Sequence, residues 1–416
     1  MTTTCTAVPA APELPAHRDG NVLRWLAAYT FSMIGDSVYY IALSWAAVQA
    51  GSPSQAGVVM AVSALPRALL MLGGGVIADR LGPRKVVIAS DVVRCAAVLA
   101  VAGLLFLTSP GLWPLALLAL VFGTVDAVFM PAVGALPARV TSRGQLARVQ
   151  GMRGLGIRFA SVVGGPLGGL GVAVGGAAAA FGLAGLLIAV SVPLLITVRM
   201  RELPADDKAA AQGGTAWRDL VGGLRYIRGH RVLAPLMVAI ALGDLGFVGP
   251  LNVGLTLLAD ERGWGASGMG WVLSGFGVGA GAAALLLTVR GRLPHAGQVA
   301  ACAILAGSVA IGSLAYVPSV LAAVGVALLI GLLAGLSGAM CGALLQTQAE
   351  PACLGRVTAV SGLVSLGFAP LSMPLSAAAI GAWGTGPVFV VSAVVCGLGG
   401  VVALGVRDLR RAELPR

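Results

Sequence analysis

Twelve apolar runs, each long enough to carry an α-helix through a bilayer, leave this chain little choice of fold. They lie at 23–48, 55–77, 86–107, 112–136, 152–172, 174–198, 232–258, 267–289, 298–316, 320–347, 357–380 and 386–406. A hydrocarbon core about 30 Å thick needs about 20 such residues per crossing, and a backbone without water must satisfy its polar groups inside each segment. The expectation is an all-α membrane protein with twelve transmembrane helices, numbered here as spans 1 to 12. Composition agrees, with 58% of residues hydrophobic and 10% charged, against about 25% charged in soluble domains. Spans 5 and 6 are the least sharply divided, since Gly168 to Gly176 offers glycines but no polar break.

Basic residues set the orientation. Of 27 Lys and Arg, 23 fall in or at the edges of the termini and even-numbered loops, one (Arg262) in an odd-numbered loop, and three (Arg67, Arg94, Arg158) inside spans. The positive-inside bias then puts both termini and the long central linker in the cytoplasm. The expected divisions are a tail over 1–22, a six-span bundle over 23–198, a linker over 199–231, a second bundle over 232–406 and a tail over 407–416. The first tail has three prolines and no apolar core, which predicts a disordered segment rather than a signal peptide. Within the linker, Trp217 to Ile227 predicts a short amphipathic helix lying at the membrane surface. A formal charge of +11 suggests nucleic acid in a soluble protein. Here the bases sit in short connections without interleaved aromatics, so no nucleic-acid partner is expected.

Two halves share sequence at one constant offset. Gly35-Asp36 matches Gly243-Asp244, Gly134-Ala135-Leu136 matches Gly342-Ala343-Leu344, and Leu146, Arg148 and Val149 match Leu354, Arg356 and Val357. Two six-span units in the same orientation are what a parallel-repeat transporter requires. Glycine, 61 of 416 residues, stands at about twice its usual ~7% and lets helices approach closely. Overlapping Gly-x-x-x-Gly pairs occur at Gly164, Gly165, Gly168 and Gly169 in span 5 and at Gly275, Gly277, Gly279 and Gly281 in span 8.

Between spans 2 and 3 runs Gly75-Val-Ile-Ala-Asp79-Arg80-Leu-Gly82-Pro-Arg84-Lys85, a charged hinge turned by Gly82-Pro83. The pattern Gly-x-x-x-Asp-Arg-x-Gly-x-Arg-Lys resembles the signature loop of the major facilitator superfamily. Its flanks, Ala64-Leu65-Pro66-Arg67 and Ala89-Ser90-Asp91-Val92-Val93-Arg94, resemble the drug and siderophore exporter branch, which includes macrolide-efflux proteins and transmembrane secretion effectors. The resemblance implies the two-bundle major facilitator fold and a conformational latch at Gly75, Asp79, Arg80, Gly82, Arg84 and Lys85. Arg290 to Pro294, the second copy of the loop, has no acid and is not an equivalent latch. Gly165, Pro166 and Gly169 resemble part of the exporters' span-5 antiporter motif, with Leu170 and Ser161 where the motif has glycine. Close helix packing and a direct role in antiport are both open for them.

An ionised group at mid-bilayer costs at least ~2.5 kcal/mol, so each should have a partner or a task. The candidates are Asp36, Arg67, Asp126, Arg158 and Asp244. In the superfamily spans 1, 4, 7 and 10 line the central cavity, so the resemblance implies that Asp36, Asp126 and Asp244 face it. Interhelical pairing is the alternative for Asp36 and Asp244. Asp126 could instead pair with Arg158 or reach the signature loop, and Arg67 could satisfy carbonyls freed by Pro66. Asp91 and Arg94, at i and i+3, read as a salt-bridged anchor for the loop.

No enzyme, metal or cofactor is expected. The six cysteines form no Cys-x-x-Cys pair, and His17, His230 and His295 lie in tails or loops. Neither a nucleophile elbow nor a phosphate loop is present, which argues against an ATP-driven pump. The expectation is a monomeric multi-pass protein of a bacterial inner (plasma) membrane. It would move a hydrophobic or amphipathic small molecule outward against protons, through a cavity walled mainly by Leu, Val, Met, Phe and Gly. The alternative is a proton-coupled or passive importer of a small polar nutrient.

Overall fold

The computed structural model describes residues 15–108, 111–142, 145–200, 216–290, 295–350 and 353–413. Every regular element among them is helical. The first half comprises α1 (Gly20–Ala50), α2 (Pro53–Leu81), α3 (Pro83–Leu107), α4 (Trp113–Ala135), the single turn α5 (Pro137–Val140) and α6 (Leu146–Thr197). The linker helix α7 (Ala216–Gly229) leads to α8 (Leu233–Gly249), a π-helical turn at Pro250–Gly254, and α9 (Leu255–Glu261). There follow α10 (Gly265–Arg290), α11 (Ala296–Leu314), α12 (Val320–Gln348), α13 (Leu354–Gly367), α14 (Ala369–Trp383), α15 (Thr385–Gly405) and α16 (Arg407–Arg410). Nine helical segments among the described residues are long and apolar enough to cross a membrane.

α6 holds 52 residues, about 78 Å if straight, more than twice a hydrocarbon core. It cannot be one crossing. The chain breaks at Gly175 and Gly176, the latter at φ 68°, a conformation that glycine adopts without a steric penalty. A second irregularity follows from Pro250, which has no N–H to give the helix. Just before it, Gly249 N–H donates to Ser372 Oγ at 2.9 Å, and that hydroxyl donates to the Leu245 carbonyl at 2.9 Å. A side chain of α14 thus enters the ladder of α8.

Hydrogen bonds define the two ends of the bundle. At one end Asn21 exchanges two bonds with Arg199, and Gly297 N–H donates to the Ala412 carbonyl. At the other, Gln49 Nε2 donates to Asp260 Oδ1 at 2.7 Å, and Thr385 Oγ1 donates to Glu261 at 2.7 Å. The halves meet chiefly near this second end, where α6 packs on α10 and α2 on α14. Contact there is backbone to backbone: a Cβ on Gly165 would lie 2.6 Å from the Gly270 carbonyl, and one on Gly169 2.5 Å from that of Ala266. Gly164 and Gly168, one step round α6, instead press on Ser37 and Ile41 of α1.

Both tails are shorter than the sequence suggested. Residues 15–19 are folded, with Ala16 buried, its N–H donating to Gln145 Oε1, and Asp19 capping α1 through Asn21 N–H at 2.8 Å. Leu409 of α16 is likewise buried. Apolar side chains in each expected tail find a place in the end of the bundle. The amphipathic linker helix forms as α7, burying Ile227 and receiving at the Tyr226 hydroxyl the Glu350 N–H at 3.2 Å.

Candidate functional site

Arg94 of α3 is fully buried and gathers the charges of the first half around it. Its Nη1 donates to Asp36 Oδ1 and Oδ2 of α1, at 2.9 and 2.8 Å, and to Asp126 Oδ1 of α4 at 3.3 Å. Nη2 donates to Ser32 Oγ at 3.1 Å and pairs with Asp91. The Phe129 ring lies 3.9 Å from the guanidinium carbon. Asp91 also accepts from the hydroxyls of Ser32 and of Ser191, on the second limb of α6. From α2, Arg67 Nη1 donates to the Tyr40 hydroxyl at 3.3 Å and stands 3.9 Å from Asp126 Oδ2. Five helices therefore meet at one ionic cluster. It contains three carboxylates and two guanidiniums, one negative charge in excess when all are ionised.

This geometry changes several sequence expectations. The Asp91–Arg94 pair exists, but Arg94 turns inward to Asp36 and Asp126 rather than toward the signature loop. Arg67 takes a tyrosine and an acid, not the carbonyls around Pro66. Asp126 pairs with Arg94 and Arg67, not with Arg158. Asp36 and Asp126 do not line the main cavity, whereas Asp244 and Arg158 do.

That cavity, about 640 Å³, lies almost wholly within the second half, with Arg158 as the first half's contribution. Its walls are mainly Ala, Gly, Ile and Ser with two Phe, two Cys and one Leu, rather than the Leu, Val and Met expected, because small residues on α8, α11 and α12 leave the space open. Asp244 Oδ2 is buried with no hydrogen-bond partner among the described residues. A smaller pocket of about 240 Å³ lies between the halves, and Phe276 borders both. Tyr40 lines the smaller pocket, a role with no signal in the sequence beyond its place one turn from Asp36. Ser44 and Thr256, which face each other across the halves, line it too.

At the signature loop, Gly82 adopts φ 86°, and Arg84 donates to the Leu195 carbonyl at 3.3 Å and to that of Ile196, capping the end of α6. Arg80 and Lys85 are exposed. The surroundings of Gly75 and the side chain of Asp79 are not described, and the 291–294 stretch of the loop's second copy lies outside the described residues. Pro166 is half-buried beside the Gly165 and Gly169 contacts.

Long apolar helices around an internal cavity, closed by backbone contact toward one end, define a multi-pass membrane transporter. The chain belongs to the Major Facilitator Superfamily, whose family model matches residues 25–365. It is 25% identical over 421 residues to the multidrug efflux pump Tap of Mycolicibacterium fortuitum, covering 95% of this chain and 98% of that protein. It is 28% identical over 294 residues to the enterobactin exporter EntS of Escherichia coli O157:H7, covering 69% of this chain and 67% of the exporter. Among solved structures, a bacterial homologue of the human lysosomal transporter Spinster, inward-facing and occupied, superposes with a TM-score of 0.74 at 13% identity, covering 97% of this chain and all of that one. The nucleoside transporter NupG superposes with a TM-score of 0.71 at 14% identity, covering 95% and 100%. These likenesses show the fold.

Proposed function

We propose that this protein is a proton-coupled exporter of an amphipathic small molecule, working as a monomer by alternating access in a plasma membrane. Counting both limbs of α6 and adding α1 and α2 to the nine segments gives twelve spans, with both termini cytoplasmic. The direction rests on the likeness to the exporters Tap and EntS, which together span both halves.

The observation that carries the reading is the excess carboxylate at the junction of five helices. One proton cancels it. Of the three acids, Asp36 has the most accessible side chain, at 16% against 9% for Asp126 and 0% for Asp91. A proton on Asp36 weakens its hold on Arg94 and so loosens α1 from α3. The same helix carries Ser44 and Gln49, which hydrogen-bond Thr256 and Asp260 of α9, beginning about 12 Å farther along its axis. Protonation midway along α1 is thereby linked to the seam between the halves. A second link runs from the smaller pocket through Tyr40 and Arg67 to Asp126.

One proton crossing about 100 mV yields roughly 2.3 kcal/mol, enough for a concentration ratio of about 50 for a neutral substrate. Asp36→Asn should abolish uphill export in proteoliposomes carrying a proton gradient and leave downhill exchange measurable. If the variant still builds an uncoupler-sensitive gradient, Asp36 is structural and the proton travels through Asp126 or Asp244.

A further inference from the structure

The two halves treat the same carboxylate differently. Asp36 and Asp244 occupy matching positions 208 residues apart, and Asp36 is held at both oxygens by the Arg94 guanidinium. At that offset the second half has Cys302 where the first has Arg94, Val299 where it has Asp91, and Ala334 where it has Asp126. Ala334 and Gly243 line the large cavity instead of filling it with charge. Asp244 is thus a carboxylate without its cation, facing a space of about 640 Å³. Arg158 borders the same space, and no ion pair or hydrogen bond joins it to Asp244 or to any other described residue. Ser365 hydrogen-bonds Asp244, but no cation meets it, and its Oδ2 is buried without a partner. Two opposite charges thus border one cavity without an ion pair, and a buried carboxylate oxygen is unfavourable unless a donor or an opposite charge reaches it.

We propose that the cavity binds a zwitterionic amphipathic molecule, its protonated amine at Asp244, its anionic group at Arg158, and its apolar body against Phe247, Phe276 and Ile330. The amine takes the place at Asp244 that the Arg94 guanidinium takes at Asp36. Arg158 sets the requirement for an acid on the same molecule, so a simple lipophilic cation satisfies only half the site. This deepens the transport reading and rests on it for the meaning of the cavity.

Three probes of one shape test the proposal by equilibrium dialysis against the detergent-purified protein: 1-naphthylalanine as zwitterion, 2-(1-naphthyl)ethylamine as cation and 1-naphthylacetate as anion. Naphthylalanine should bind at least about tenfold tighter than either, equivalent to ~1.4 kcal/mol. Asp244→Asn should bring it level with naphthylacetate, Arg158→Gln should bring it level with the amine, and Asp244→Glu should keep most of the preference. Equal binding of amine and naphthylalanine by the wild type, or no effect of either neutralising variant at unchanged melting temperature, overturns the proposal. Selective binding of naphthylalanine without its movement in proteoliposomes supports this site and overturns the transport reading instead.

Discussion

Arg94 is the residue on which the first half depends most heavily. Removing it leaves Asp36, Asp91 and Asp126 facing one another in an apolar bundle, with only Arg67 at 3.9 Å from one of them. Breaking a buried ion pair by deleting one partner costs about 3–5 kcal/mol. Arg94→Met should therefore lower the melting temperature in detergent sharply, and Arg94→Lys less so, because an ammonium keeps the charge but not the planar fork that reaches both Asp36 oxygens. Arg94→Met with wild-type stability would mean that the acids are neutral in the resting protein. At the signature loop, Asp79→Asn should leave expression and melting unchanged while transport drops sharply, the result of losing a charge-assisted contact made in one conformation. Wild-type transport by that variant would reduce the loop to topology charge. Arg94 and its acids were visible in the sequence as charges out of place in apolar spans. Their partners were not, since Asp36 and Asp126 stand 58 and 32 residues from Arg94 and no local pattern fixes such distances.

Helix pairs decide which end of the bundle is closed. On α6, Gly165 and Gly169 let the chain touch α10 backbone to backbone, and Gly57 brings α2 against the Ala377 side chain and the Pro374 backbone of α14. Any larger side chain at Gly169 meets the Ala266 carbonyl within 2.5 Å, and neither backbone can move aside without separating the helices. Gly169→Val should hold this seam apart, so that a cysteine placed at Gly51 reacts faster with an impermeant maleimide than it does in the parent. An unchanged labelling rate would show that the seam tolerates the branch and that these glycines serve something other than closure. The Gly-x-x-x-Gly spacing announced close packing, but which helix each stripe meets is decided by the rotation of α6: Gly164 and Gly168 face α1, Gly165 and Gly169 face α10.

For the whole molecule, the proposed orientation predicts that cysteines at Gly51 and Tyr316 label from outside intact cells, while those at Gly82 and Asp206 label only after permeabilisation. Labelling of position 206 from outside would invert the arrangement and turn the proposed export into uptake. The sequence alone determined that the chain is a bundle of membrane helices, because a hydrocarbon core demands long apolar runs and nothing distant can supply them. It also marked the glycine stretch, Gly168 to Gly176, within which α6 breaks, although the division it drew at 173 fell short of Gly175 and Gly176, and it showed the repeat shared by the two halves. Only the tertiary structure decided which charges cancel and which stay open. Asp36 and Asp244 carry the same local sequence, Gly-Asp, yet one is clasped by Arg94 and the other borders a cavity. The difference lies on other helices, in residues brought alongside by packing, and the electrostatics of a buried carboxylate depend on those neighbours rather than on its own position in the chain.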